Sequence, residues 1–347
     1  MSADSRQDFA FAFLSILFEG APFILLGTLI SGFIDIYLPS NTMDRMLPRR
    51  TLPAILVAGL LGGILPVCEC AVVPVIRRLV KKGLPVSCAL TYMLAAPIVN
   101  PITALSTWKA FKGPIVALGE WGTASASVVM TVSRLGLGFL VAVAVGLIVS
   151  KIPLRKLLKP KLVESVEAEG KATASAKDCG HDHEHGEACC GHDHGHSHEG
   201  EGGSRMVAAF RSAMRDFTDV GVYFTIGVAI TALFNTGIAP GAEWLDTLAE
   251  GQVAGPAALM ALAFVLSLCS TSDAFIAATL HKFTWGAKLA FLTFGPMMDV
   301  KLLFLYQTVL RRRTIVLLAI GLFLGIGAAA IGWQAAISAM NPPLSAP

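Results

Sequence analysis

Two thiols and a carboxylate stand together in Leu65-Pro66-Val67-Cys68-Glu69-Cys70-Ala71-Val72-Val73-Pro74, inside a run that is otherwise apolar. A charged side chain at membrane depth costs at least about 2.5 to 3.5 kcal/mol, so it is kept facing a partner or a cavity. Cys68 and Cys70 are two apart, which on a regular helix points them about 200° from each other. Both can face one ligand only where the backbone is broken or extended, and Pro66 and Pro74 are placed to break it. Cys269, followed by Ser270, Thr271, Ser272 and Asp273, supplies a third thiol and a second carboxylate in the other half of the chain. Thiolates select Cu(I), Zn(II) and similar soft ions, and three of them suit trivalent arsenic equally. A single buried cysteine is usually a small apolar filler, but Cys-Glu-Cys flanked by prolines and echoed by a distant Cys reads as a soft-metal site on a broken membrane helix.

Asn100, in Ala95-Ala96-Pro97-Ile98-Val99-Asn100-Pro101, corresponds to Asp299, in Gly295-Pro296-Met297-Met298-Asp299-Val300-Lys301. A polar residue just past a proline kink can line a pathway. Asp299 is the candidate for a group that alternates between proton and metal, with a structural ion pair to Lys301 or Arg134 as the competing reading. Lys301 is two residues away, so direct pairing along one helix is not expected. Met297 and Met298 are thioether candidates, although methionine in such a helix is more often packing. Glu19 and Asp219 also occupy matched positions, where they could guard an entrance or cap near an interface.

The second concentration of ligands is Cys179-Gly180-His181-Asp182-His183-Glu184-His185-Gly186-Glu187-Ala188-Cys189-Cys190-Gly191-His192-Asp193-His194-Gly195-His196-Ser197-His198, which holds seven of the eight histidines and three of the seven cysteines. Tracts of this composition bind metals without a packed core. The His-x-His alternation is not the spacing of a closed zinc finger. It reads as a flexible collector with several exchangeable sites at Cys179, His181, His183, His185, Cys189, Cys190, His192, His194, His196 and His198.

The elements that must position these groups are apolar runs. The chain has 347 residues, 54% hydrophobic and 15% charged, with a formal charge of +3; this is a polytopic membrane protein and gives no case for nucleic-acid binding. Segments are expected near 9–38, 53–80, 85–108 and 123–150, then 210–238, 254–281, 286–310 and 314–338. The fold class is therefore all-α with about eight membrane segments. The first membrane repeat covers 1–151, a cytoplasmic His/Cys-rich linker, disordered by its composition, covers 152–205, and the second repeat covers 206–347. The start of the chain lacks a basic n-region and a cleavage site, so the first apolar run is expected to stay. The halves match at a displacement of about 200 residues, with Gly27 falling on Gly227, Cys68 near Cys269, Pro97 near Pro296 and Asn100 near Asp299. If the second segment of each half is broken or re-entrant, the halves become inverted repeats and Arg77, Arg78, Lys81, Lys82 and Arg311 to Arg313 share one face. With eight full spans the arginine triplet lies opposite. The positive-inside rule prefers the inverted arrangement, although a single tilted helix also suits a 28-residue segment. The pairs Gly59/Gly63 and Gly321/Gly325 have the spacing that lets helix backbones approach.

Taken together, Pro66-Val67-Cys68-Glu69-Cys70, Leu94-Ala95-Ala96-Pro97-Ile98-Val99-Asn100-Pro101 and the His/Cys-rich linker between two four-segment halves resemble the ArsP-type permease family of bacterial inner-membrane proteins, in particular its Cu/Zn efflux branch. The resemblance implies eight membrane helices and a place in the bacterial cytoplasmic membrane. Relatives are linked to export of trivalent organoarsenicals, so substrate does not follow from the family.

The expectation from the sequence is a permease, not an enzyme, that gathers Cu(I) or Zn(II) on a cytoplasmic linker and exports it through the cysteine region. It carries no permanent cofactor. The rival cargo is trivalent arsenic or antimony, for which vicinal Cys189-Cys190 is suggestive, and a membrane metal sensor or accessory factor is a different class. No Gly-x4-Gly-Lys-Ser/Thr loop is present, so transport is secondary or needs a partner ATPase. Candidate partners besides ion and lipid bilayer are a second copy or a cytoplasmic metallochaperone.

Overall fold

Helices form along the apolar runs, and several stop at a proline, a glycine or a lone polar residue, although Pro22 and Pro74 lie inside helices. The computed structural model describes residues 3–37, 48, 50–64, 68–117, 123–160, 162–166, 201–238 and 251–340. In the first part these form α1 (Ala3–Tyr37), α2 (Thr51–Ile64), α3 (Glu69–Lys81), α4 (Val86–Ala95), α5 (Pro101–Ala110) and α6 (Ala126–Val149). A two-stranded antiparallel ribbon, β1 (Ile115–Ala117) and β2 (Thr123–Ser125), precedes α6 with Ile115 opposite Ser125. After the short α7 (Leu154–Leu157) come α8 (Glu201–Ile238), α9 (Ala254–Leu266), α10 (Asp273–Thr279), α11 (Trp285–Phe294), α12 (Val300–Tyr306) and α13 (Arg312–Met340). The order of long, broken and long helices in the first part thus recurs in the second.

Among the described residues four helices are long and apolar enough to cross a membrane, within α1, α6, α8 and α13. The other four expected segments are each split in two, and neither piece reaches the roughly 20 residues a crossing needs. The causes are local. Asn100 and Asp299 are extended N-caps whose side chains accept from the amides of Ile102 (2.9 Å) and Leu302 (2.6 Å); each satisfies an orphan donor and starts a new helix. Ser267 ends α9 in the left-handed region at φ 48°. Cys68 is the extended residue before α3. Pro66 lies outside the described residues, and Pro74 does not mark a break: it sits inside α3.

The two halves of each broken segment do not continue one another in the same way. α2 runs beside α4 in the same direction. A Cβ on Gly146 of α6 would meet both Ile55 and Ser87 near the starts of these helices, and one on Gly62 would fall 2.7 Å from Ala96 near their ends. Because α3 leads through the Gly83 turn back to the start of α4, the outer ends of α2 and α3 lie at the same end of the bundle. By contrast α4 and α5 carry the chain onward. Thr107 of α5 meets Arg134 of α6, and Ala126 at the start of α6 donates to Pro114 O. In the second part Gly295, just past the end of α11, lies beside Ala263 near the end of α9, and Gly286 at the start of α11 lies beside Gln334 of α13.

Glycine is essential at two matched positions. A Cβ on Gly27 of α1 would fall 2.8 Å from Ala71 Cα, and one on Gly227 of α8 would fall 2.9 Å from Lys301 Cα. These approaches seat α1 and α8 on the starts of α3 and α12. Gly59 similarly faces Phe139 and Thr91. Gly321 does not follow the expectation of close helix approach: a Cβ there, or at Gly325, meets nothing within 4 Å. The pattern marks a small-residue face without saying what lies against it.

The segment that follows α6 is packed rather than detached as far as residue 166. Leu157, Leu158, Leu162 and Val163 are buried, Lys159 N donates to Val309 O, and Arg311 N and Nε donate to Leu157 O and Leu158 O. Residues 167–200 lie outside the described residues.

Candidate functional site

At the start of α3 the backbone changes from extended at Cys68 to helical at Glu69, and this change lets both cysteines turn toward one space. Cys68, Glu69, Cys70, Cys269, Lys301 and Glu19 line a single cavity, closed on another side by Phe23 and Phe224. Gly20 of α1 lets the Phe224 ring lie directly against the backbone. The cavity holds about 20 Å³, room for roughly one water or one bare ion. Among the described residues no three His, Cys, Asp or Glu side chains are close enough together to form a metal cage in this arrangement. The cavity therefore has soft donors around it without a closed coordination shell.

Lys301, expected only as a possible ion-pair partner of Asp299, also reaches the cavity and Glu69. Its ammonium is buried, 3.3 Å from Glu69 Oε1 and 3.5 Å from Asp299 Oδ2, and donates to Ser267 O (2.9 Å) and Leu268 O (3.4 Å). The two carbonyls are free for it because the left-handed turn at Ser267 ends α9 there. Direct pairing with Asp299 arises because Asp299 is extended, not helical, so the rule for neighbours on one helix does not apply. A lysine in Asp-Val-Lys-Leu-Leu-Phe-Leu is as costly in an apolar run as Glu69, and matching these two unpaired charges was the available signal.

Asp273 is placed elsewhere. It begins α10 and pairs with buried Arg134 at 2.7 Å, while Arg134 also donates to Thr107 Oγ1 (2.7 Å) and Ser270 O (3.0 Å). Ser270 Oγ in turn approaches Glu69 Oε2 at 3.4 Å. A polar chain thus runs from Asp299 and Lys301 through Glu69 and Ser270 to Arg134 and Asp273. Asn100 is buried as a helix cap and is not among the cavity-lining residues. Met297 and Met298 are fully buried in the core, also away from the cavity lining. Glu19 and Asp219, matched in sequence, diverge: Glu19 reaches the cavity, whereas Asp219 pairs with Arg77 at 3.3 Å. Cys179, His181, His183, His185, Cys189, Cys190, His192, His194, His196 and His198 lie outside the described residues.

Known proteins match most of the chain. UPF0718 protein YcgR of Bacillus subtilis (strain 168) is 35% identical over 308 residues, covering 88% of this chain and 90% of that protein. A Streptococcus mutans protein (serotype c, strain ATCC 700610 / UA159) named as a putative two-component membrane permease complex subunit is 30% identical over 306 residues, 87% of each. No solved structure matches. Residues 7–331 match the ArsP_1 family, described as a predicted permease. With its apolar helices and a match over nearly its full length, this chain is a multi-pass membrane protein that belongs to the ArsP_1 permease family.

Proposed function

We propose that this permease is a heavy-metal exporter that moves Cu(I) or Zn(II) out across the bacterial cytoplasmic membrane through the cavity between Cys68, Cys70 and Cys269. The observation that carries the reading is that three thiols, from two helix breaks about 200 residues apart in sequence, line one ion-sized space. Two carboxylic side chains, Glu19 and Glu69, and one ammonium, Lys301, share that lining, a balance that favours a cation. Capture draws the three sulfurs inward to complete a shell. The His/Cys tract is the cytoplasmic collector that feeds the site, and His ligands exchange metal readily enough to pass it on.

In this reading α2–α3 and α9–α10 are re-entrant hairpins of two inverted repeats, with the cysteine breaks near the midplane. What supports it is the shared end of α2 and α3, and the clustering of basic residues: Arg77, Lys81 and Lys159 line one pocket, and Arg311 binds the neighbouring Leu158. The same basic face is the cytoplasmic one. A partner subunit, a second copy or a metallochaperone is part of the reading; the name of the Streptococcus mutans relative supports a partner.

Trivalent arsenic remains the second cargo, because three convergent thiols suit its pyramidal coordination as well. Uptake of Zn(II), Cu(I) and methylarsenite into everted vesicles separates the two. Zinc or copper uptake that needs Cys68 and Cys70 is the expected result; uptake of arsenite species alone moves the function to metalloid efflux, and no net flux of any of them leaves a sensor.

A further inference from the structure

A cleft of about 630 Å³ opens between α6 and α13, a size that takes an organic molecule rather than an ion. Its walls are apolar: Val145, Ile148 and Val149 from α6 face Leu317, Leu318 and Leu322 from α13. At one end only, Lys156, Arg311 and Arg313 line it. These three lie where α6 has ended and α13 begins, at the ends of two helices long and apolar enough to cross a membrane. Gly321 also lines the cleft, and a Cβ there would meet nothing within 4 Å, so the small-residue face borders the space instead of another helix.

We propose that this cleft is a binding site for one anionic phospholipid, with an acyl chain along the α6–α13 walls and the phosphate held by Lys156 and Arg313 beside Arg311. The cations are gathered at one end of a long apolar slot, the charge complement of a headgroup over a tail. Basic pockets between membrane helices on the cytoplasmic side hold such headgroups. A free phosphate would leave the apolar length unused, and a zwitterionic lipid would bring its own positive charge against the three cations. The site is separate from the cysteine cavity and does not depend on what the permease carries.

The test is native mass spectrometry of the full chain in detergent, titrated with palmitoyl-oleoyl phosphatidylglycerol or the matching phosphatidylcholine. Wild type should retain one phosphatidylglycerol in preference to phosphatidylcholine. Lys156→Gln/Arg313→Gln should lower that retention by roughly fivefold for each charge removed. Gly321→Phe, which fills the slot while leaving every charge in place, should lower it comparably. Both variants alter exposed or open positions, and helical content and gel-filtration profile should be unchanged. The inference is overturned if wild type retains the two lipids equally, if either variant keeps phosphatidylglycerol as wild type does, or if glycerol phosphate without tails displaces the lipid completely.

Discussion

The Lys301 ammonium lies 3.3 Å from the Glu69 carboxylate, joining residues 232 apart in sequence at the point where two helices begin. Breaking a buried pair leaves an uncompensated charge, which costs about 3 to 5 kcal/mol. Lys301→Met should therefore destabilise the protein by that order, read as a lower midpoint of denaturant unfolding in detergent. The double variant Lys301→Met/Glu69→Gln should recover part of the loss; no recovery contradicts the pairing.

Arg134 and Asp273 form the second buried pair, and their coupling should show in a double-mutant cycle. Arg134→Met and Asp273→Asn each remove one partner at 2.7 Å, so the double variant should be less damaging than the sum. Additive losses would mean that the two side chains do not act together.

The arrangement of the broken helices makes a prediction about sidedness. In a background without other cysteines, Lys82→Cys and Arg312→Cys should react with an impermeant maleimide from the same side of the membrane. Lys112→Cys and Lys282→Cys should react from the other. Labelling of residue 312 from the side opposite residue 82 would refute the inverted arrangement.

The change of direction at Cys68 was legible in the sequence because two thiols and a carboxylate cannot share one face of a regular helix. Asn100 and Asp299 were legible as a matched pair, and both are N-caps. What the matching could not convey is that Asp299 meets the Lys301 ammonium, since the position corresponding to Lys301 in the first part is Ile102, whose amide the Asn100 side chain caps. The Lys301–Glu69 and Arg134–Asp273 pairings depend on contacts between distant segments, which helix-neighbour spacing does not encode. The four-residue glycine spacing was equally silent on direction, because Gly59 faces Phe139 while Gly321 faces open space.

Removal of the His/Cys tract should alter zinc binding in a pH-dependent way. Histidine ligands must be neutral to bind, so protonation near their usual pKa of about 6.5 competes with metal. The sign is that binding by the tract is present above that value and lost as pH falls through it. Equilibrium dialysis of the full chain should show more Zn(II) bound at pH 7.5 than at pH 5.5, and a protein lacking residues 170–199 should lose most of that difference. An unchanged difference would exclude the tract as collector.

The central claim is that Cys68, Cys70 and Cys269 bind one cation together. X-ray absorption at the zinc edge, on protein lacking residues 170–199 and loaded with one equivalent of Zn(II), tests it most directly. The account predicts a first shell dominated by sulfur at about 2.3 Å, lost in Cys68→Ser/Cys70→Ser. A shell of nitrogen and oxygen alone, or one that survives the double substitution, would contradict it.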